Sequence, residues 1–138
     1  MLAIAPAISN IGTCIATVNL FDGLNNVLYP INIITTNSPP VFVSSLSSGE
    51  TISAGATNTY TLATTSDIDG DTVTISISQG SSVVASLAGS VLTISPSALQ
   101  VGSFPITIQL SDGLNHPTFT YTVVSLNTPP SFASAPVD

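Results

Sequence analysis

The chain is 138 residues long and carries seven acidic residues, one histidine and no lysine or arginine, for a net charge of −7. Without a cation it cannot neutralise phosphates, so nucleic acids and anionic membrane surfaces are excluded as partners. Charged residues make up 5% of the chain and serine plus threonine 39 of 138, yet apolar residues reach 43%, enough for a packed core.

In chain order, the first informative stretch is one that returns. Leu20-Phe-Asp22-Gly-Leu-Asn25 comes back as Leu110-Ser-Asp112-Gly-Leu-Asn115, and Asn37-Ser-Pro-Pro-Val-Phe42 as Asn127-Thr-Pro-Pro-Ser-Phe132, both at an offset of 90. Sliding residues 1–48 onto 91–138 without a gap gives 15 identities in 48. Such self-similarity marks a tandem repeat. With the Pro-Pro pair opening each unit, residues 39–128 form one complete repeat. Residues 1–38 are then the C-terminal half of a preceding repeat, and 129–138 the start of a following one. A sandwich lacking its first half cannot bury its core, so either the chain is a window on a longer one or another chain completes the half-domain. Within that half, Cys14 falls on one strand phase with Ala16, Val18 and Leu20, and a buried small hydrophobe is expected there. One cysteine excludes an internal disulfide framework.

The complete unit reads as strand throughout. Val73, Ile75 and Ile77 alternate with hydroxyl residues, as do Phe119, Tyr121 and Val123, while Phe104, Ile106, Ile108 and Leu110 alternate with Pro105, Thr107 and Gln109. Period two with β-branched enrichment predicts half-buried antiparallel strands. Ser48-Gly-Glu50, Asp69-Gly-Asp71, Ala88-Gly-Ser90 and Asp112-Gly-Leu-Asn115 read as turns. Seven strands result, at roughly 41–47, 57–65, 72–78, 83–87, 91–95, 103–111 and 117–126, as in an all-β, Ig-like sandwich. Tyr60, Phe104, Phe119 and Tyr121 are expected in the core. His116, whose counterpart is Asn26, is expected to be an exposed turn residue. No apolar run approaches the ~18 residues of a membrane span, so no insertion is expected.

Asn37-Ser-Pro-Pro-Val-Phe42, Tyr60-Thr-Leu62, Asp67-Ile-Asp-Gly-Asp71 and Gly102-Ser-Phe-Pro-Ile-Thr-Ile108 running into Ser111-Asp-Gly113 follow one another in an ordered set. In this the unit resembles the cadherin-like repeats of the dystroglycan and bacterial-adhesin type. The resemblance implies a seven-stranded antiparallel β-sandwich in tandem repeats of 90 residues. It departs from calcium-dependent cadherins at the linker, where Asn127-Thr-Pro-Pro lacks their acidic cluster.

Asp67, Asp69 and Asp71 place three carboxylates in one loop with no cation in the chain to separate them. Two readings stand: a calcium site, joined at the pole of the unit by Asp112 and Asn37, or a solvated acidic turn. Glu50, in an expected turn at the opposite pole, is a weak contributor to the next junction. No nucleophile–base or acid–base set can be assembled, so an enzyme is not expected. The leading reading is a structural, extracellular or cell-surface protein, a stalk, adhesin or filament segment whose partners are neighbouring repeats or copies of itself. The alternative is a calcium-dependent carbohydrate- or protein-binding module. Outward positions such as Thr72, Thr74, Ser76, Thr107, Thr118, Thr120 and Thr122 lack the charges that usually guard strand edges. O-linked glycans or lateral packing of filament strands are expected to cover them. No Asn-x-Ser/Thr sequon occurs.

Overall fold

The computed structural model describes residues 3–5 and 10–133; the rest of the two terminal segments, including 134–138 of the expected following repeat, lies outside the described residues. The elements are strands: β1 (Gly12–Phe21), β2 (Asn26–Thr35), β3 (Val41–Phe42), β4 (Gly49–Ser53), β5 (Asn58–Thr61), β6 (Thr65–Ser66), β7 (Thr74–Gln79), β8 (Ala85–Ala88), β9 (Val91–Ile94), β10 (Gly102–Ser111) and β11 (Thr118–Leu126). No helix among the described residues is long and apolar enough to cross a membrane. The chain divides into two compact units, 1–38 and 39–138.

In the larger unit, a four-stranded sheet runs β4-β11-β10-β7 and a three-stranded sheet runs β5-β9-β8, with β3–β6 as a separate pair. The two larger sheets share one core. Leu62, Val84, Ala85, Leu92 and Ile94 meet Ile106, Ile108, Tyr121 and Val123, all nearly or wholly buried. This arrangement is consistent with a β-sandwich. The alternation read from the sequence produces it, because successive strand side chains point to opposite faces. Each aliphatic side chain so buried stabilises the fold by about 1.5–3 kcal/mol. Tyr60, Phe104 and Phe119 pack against this core, Tyr60 lying 5.3 Å from Tyr121 between ring centres and Phe42 meeting Phe119 edge-on at 5.0 Å. The tyrosyl of Tyr121 is pushed up to about 12, first by burial and then by the nearby Glu50 charge.

The first expected strand is where the chain departs most. Only Val41–Phe42 forms a strand, paired with β6. Residues 43–48 then cross over, and Gly49–Ser53, whose first two residues the sequence reads as part of a turn, runs parallel to β11. The sandwich is therefore not wholly antiparallel. Gly49 has φ +150°, and a Cβ there would run into the Thr122 carbonyl. Thr122 N–H donates to Ser48 O at 2.9 Å, which ties the entry to the new strand. A glycine taken as a turn former serves here as close backbone approach. The expected strand at 57–65 also divides into β5 and β6. Between them Leu62 turns inward to 3% exposure, its N–H donating to Ser90 O at 2.8 Å.

The smaller unit holds one hairpin, β1–β2, with no further strand beside it among the described residues. Its register from Gly12–Thr35 to Asn19–Leu28 matches that of β10–β11 pair for pair. Cys14 faces Ile33, Ala16 faces Ile31 and Val18 faces Tyr29; 90 residues on, Phe104 faces Val123, Ile106 faces Tyr121 and Ile108 faces Phe119. The connecting turns match as well. Asp22 Oδ1 accepts N–H bonds from Leu24 at 2.9 Å and Asn25 at 2.7 Å. Asp112 Oδ1 accepts them from Leu114 at 2.7 Å and Asn115 at 2.6 Å. Cys14, expected to be buried, is exposed. Its strand alternation puts it on one face with Ala16, Val18 and Leu20, and no second layer covers that face among the described residues of the unit.

Candidate metal site

Asp67, Asp69 and Asp71 occupy the loop between β6 and β7. Asp67 organises it: its Oδ1 accepts the N–H of Asp69 at 2.8 Å and of Asp71 at 3.4 Å. Gly70, at φ +83°, supplies the left-handed bend and donates to Asp67 O at 3.4 Å. The sequence produces this locally, because an aspartate side chain that accepts from the backbone two residues on builds such a turn and glycine bends without strain. One carboxylate oxygen from each aspartate falls within 4.8 Å of the others. Asp67 and Asp71 are half-buried and Asp69 is exposed.

The electrostatics are unrelieved. Asp71 is raised above the ordinary aspartate range, first by desolvation and then by the charges of Asp67, Asp112 and Asp69. Asp67 Oδ2 is buried and has no hydrogen-bond partner among the described residues. A buried anionic oxygen without a donor is costly, and a hard cation with several oxygen ligands would remove that cost. The donor set, three carboxylates, suits calcium or magnesium rather than a soft metal.

The other expected ligands stand differently. Asp112 is 7% exposed, and its carboxylate holds its own turn through Leu114, Asn115 and the Asn115 side chain at 3.3 Å. It reaches the cluster through its charge on Asp71, across strands that Thr74 and Ser111 join. Asn37 belongs to the smaller unit, where its Nδ2 donates to Ser38 O at 3.4 Å; the three converging carboxylates all come from the larger. Glu50 is not in a turn. It lies in β4 opposite Val123, with Oε2 accepting from Asn58 Nδ2 at 2.7 Å and Oε1 buried and unpartnered. His116 is exposed, as expected.

Gln79 carries a role that patterning alone misses. Its Oε1 accepts from the N–H groups of Val84 at 2.9 Å and Ala85 at 3.0 Å, and its Nε2 donates to Ala85 O at 2.6 Å. One side chain thus holds the crossing from β7 to β8. A glutamine ending an alternating strand just before Gly80-Ser-Ser was the available signal.

No protein-family model and no curated protein matches the chain. Among solved structures, it is similar to the endo-fucoidan hydrolase MfFcnA4 of glycoside hydrolase family 107, at 22% identity over 90% of this chain and TM-score 0.49. It spans 20% of that protein's length. A nucleoside hydrolase-related hypothetical protein from Saccharophagus degradans aligns at 21% identity and TM-score 0.49, over 67% of this chain and 26% of that one. Domains 4 and 5 of the S-layer protein SbsC align at 22% identity and TM-score 0.39, over 83% of this chain and 66% of that one.

Proposed function

We propose that the chain is a structural segment of an extracellular surface stalk, adhesin or filament, built from Ig-like, cadherin-like β-sandwich repeats of 90 residues that bind calcium through Asp67, Asp69 and Asp71. The observation that carries this reading is the position-for-position equivalence of β1–β2 and β10–β11. It extends from strand register to the hydrogen bonds of the Asp22 and Asp112 turns. A chain that repeats its backbone pairing at fixed spacing, with Pro-Pro at each unit's opening, suits a quasi-one-dimensional array. The exposed hydroxyls of Thr72, Thr74, Ser76, Thr118 and Thr120 suit O-linked glycans or contacts between neighbouring filament strands. Calcium fits the loop because the buried Asp67 Oδ2 lacks a donor.

Chains carrying one, two and three copies of residues 39–128, measured by small-angle scattering with calcium, should lengthen by a constant increment per copy. A maximum dimension that stops growing would overturn the stalk reading. Specific capture by a glycan array, abolished by Asp67→Asn, would favour the calcium-dependent binding module instead.

A further inference from the structure

The β1–β2 hairpin presents an apolar face of Cys14, Ala16, Val18, Leu20, Tyr29, Ile31 and Ile33 with nothing across it among the described residues of its unit. Most of it is exposed: Val18 40%, Leu20 56%, Tyr29 52% and Val27, opposite Leu20, 48%, while Ala16 and Ile33 are half-buried. The matching residues of the larger unit are Ile108, Leu110, Pro117 and Phe119. Ile108 and Leu110 are 0% exposed, and Phe119 packs on the core. Identical register with opposite burial means that the hairpin is one layer of a two-layer structure.

The larger unit shows what the second layer is. Its equivalent face is covered by Leu62, Val84 and Ala85, with Phe42, Tyr60 and Leu87 packed beside them. Those residues all precede β9. The outer edge of β10 is paired by β7, and that of β11 by β4. Every one of these partners lies between residues 39 and 90. A two-stranded hairpin alone is marginally stable in water, and an apolar face whose two edges carry no strand among the described residues is a template for strand addition.

We infer that the apolar face of β1–β2 is a docking surface whose occupant is a segment of the residues 39–90 type, joined ahead of the hairpin as 39–90 is joined ahead of β9–β11. That segment adds a β7-type strand to the free edge of β1 and a β4-type strand to the free edge of β2. It closes the face with an aliphatic layer. In the completed sandwich Cys14 takes the place of Phe104, which lies half-buried against the core. The inference rests on the 90-residue repeat of the proposed function but on neither its filament nor its ion, so the thiol test can fail without the scattering and calcium tests failing.

Cys14 is the probe, being the one cysteine of the chain and exposed on this face. Three proteins are compared for reaction with a chromogenic disulfide: the 138-residue chain, the chain with a copy of residues 39–90 fused before Met1, and the chain with a scrambled version of that segment. A parallel arm adds the separate 39–90 polypeptide in excess. Burial of the thiol should slow the reaction by ~10-fold or more in the fused chain and not in the scrambled one. Circular dichroism checks that the 39–128 sandwich is folded in each. Protection in the fused chain, or by the added polypeptide, supports the inference. Unchanged reactivity in both arms overturns it. Cys14 already protected in the unextended chain, with concentration-dependent dimerisation, overturns it in favour of a second copy as the occupant.

Discussion

Ile108 and Val18 occupy one repeat position in two environments, which makes their truncation a test of where the stability of this chain resides. Ile108 is 0% exposed, in β10 between Ile77 of β7 and Phe119 of β11. Ile108→Ala removes three carbon groups, about 2.4 kcal/mol of transfer free energy, and the cavity left in a rigid two-layer core raises the loss to about 3–4 kcal/mol. Val18 faces Tyr29 across one hairpin and is 40% exposed. Val18→Ala should cost below about 0.5 kcal/mol, the range of ordinary surface changes. For a unit of this size 1 kcal/mol shifts the melting midpoint by about 4–8 °C, so Ile108→Ala should lower it by roughly 12–32 °C. Thermal unfolding followed by far-ultraviolet circular dichroism reads both. Comparable shifts for the two variants would refute the claim that a second layer, rather than hairpin pairing, supplies the stability.

Gly49→Ala should destabilise by several kcal/mol, since a Cβ at φ +150° would run into the Thr122 carbonyl; a melting midpoint within 4 °C of wild type would show that β4 does not need this approach. Gln79→Ala leaves two amide donors and a carbonyl at the β7–β8 crossing without their partner, for a loss of about 2–3 kcal/mol by urea denaturation. Because the Asp71 pKa is raised in the folded chain, its contribution in the absence of metal is present in acid and lost as pH rises through that raised value. The exposed Asp22, lowered by the Asn25 and Leu24 amides, behaves oppositely: its contribution holds at neutral pH and is lost as pH falls through its depressed value. Carboxyl-resolved NMR titration should place Asp71 above Asp22, and coincident midpoints would contradict both assignments. Calcium should raise the melting midpoint of the chain, and Asp67→Asn should abolish most of that gain; equal midpoints in calcium and in chelator would remove the site.

Several features were legible from residues alone because they depend on neighbours along the chain. Alternation at 104–110 and 119–123 predicted β10 and β11 and their inward faces, since side-chain direction in a strand follows from the pleat. Asp-Gly-Leu-Asn predicted its turn at both copies, because the aspartate accepts hydrogen bonds from amides only two and three residues on. Asp67-Ile-Asp-Gly-Asp71 likewise placed three carboxylates in one bend. What the sequence could not decide depends on contacts made from far along the chain. The path of residues 43–53 from β6 to β11 is set by the Thr122 backbone, and neither Ser48 nor Gly49 carries a local sign of that partner. The lone oxygens of Asp67 and Glu50 become costly only once tertiary packing removes water from them. Period places Cys14 on one face with Ala16 and Val18 and predicts burial, yet Cys14 is exposed, because burial depends on what lies across that face. Periodicity tells which side of a strand is apolar; only the tertiary structure decides whether a second sheet covers it.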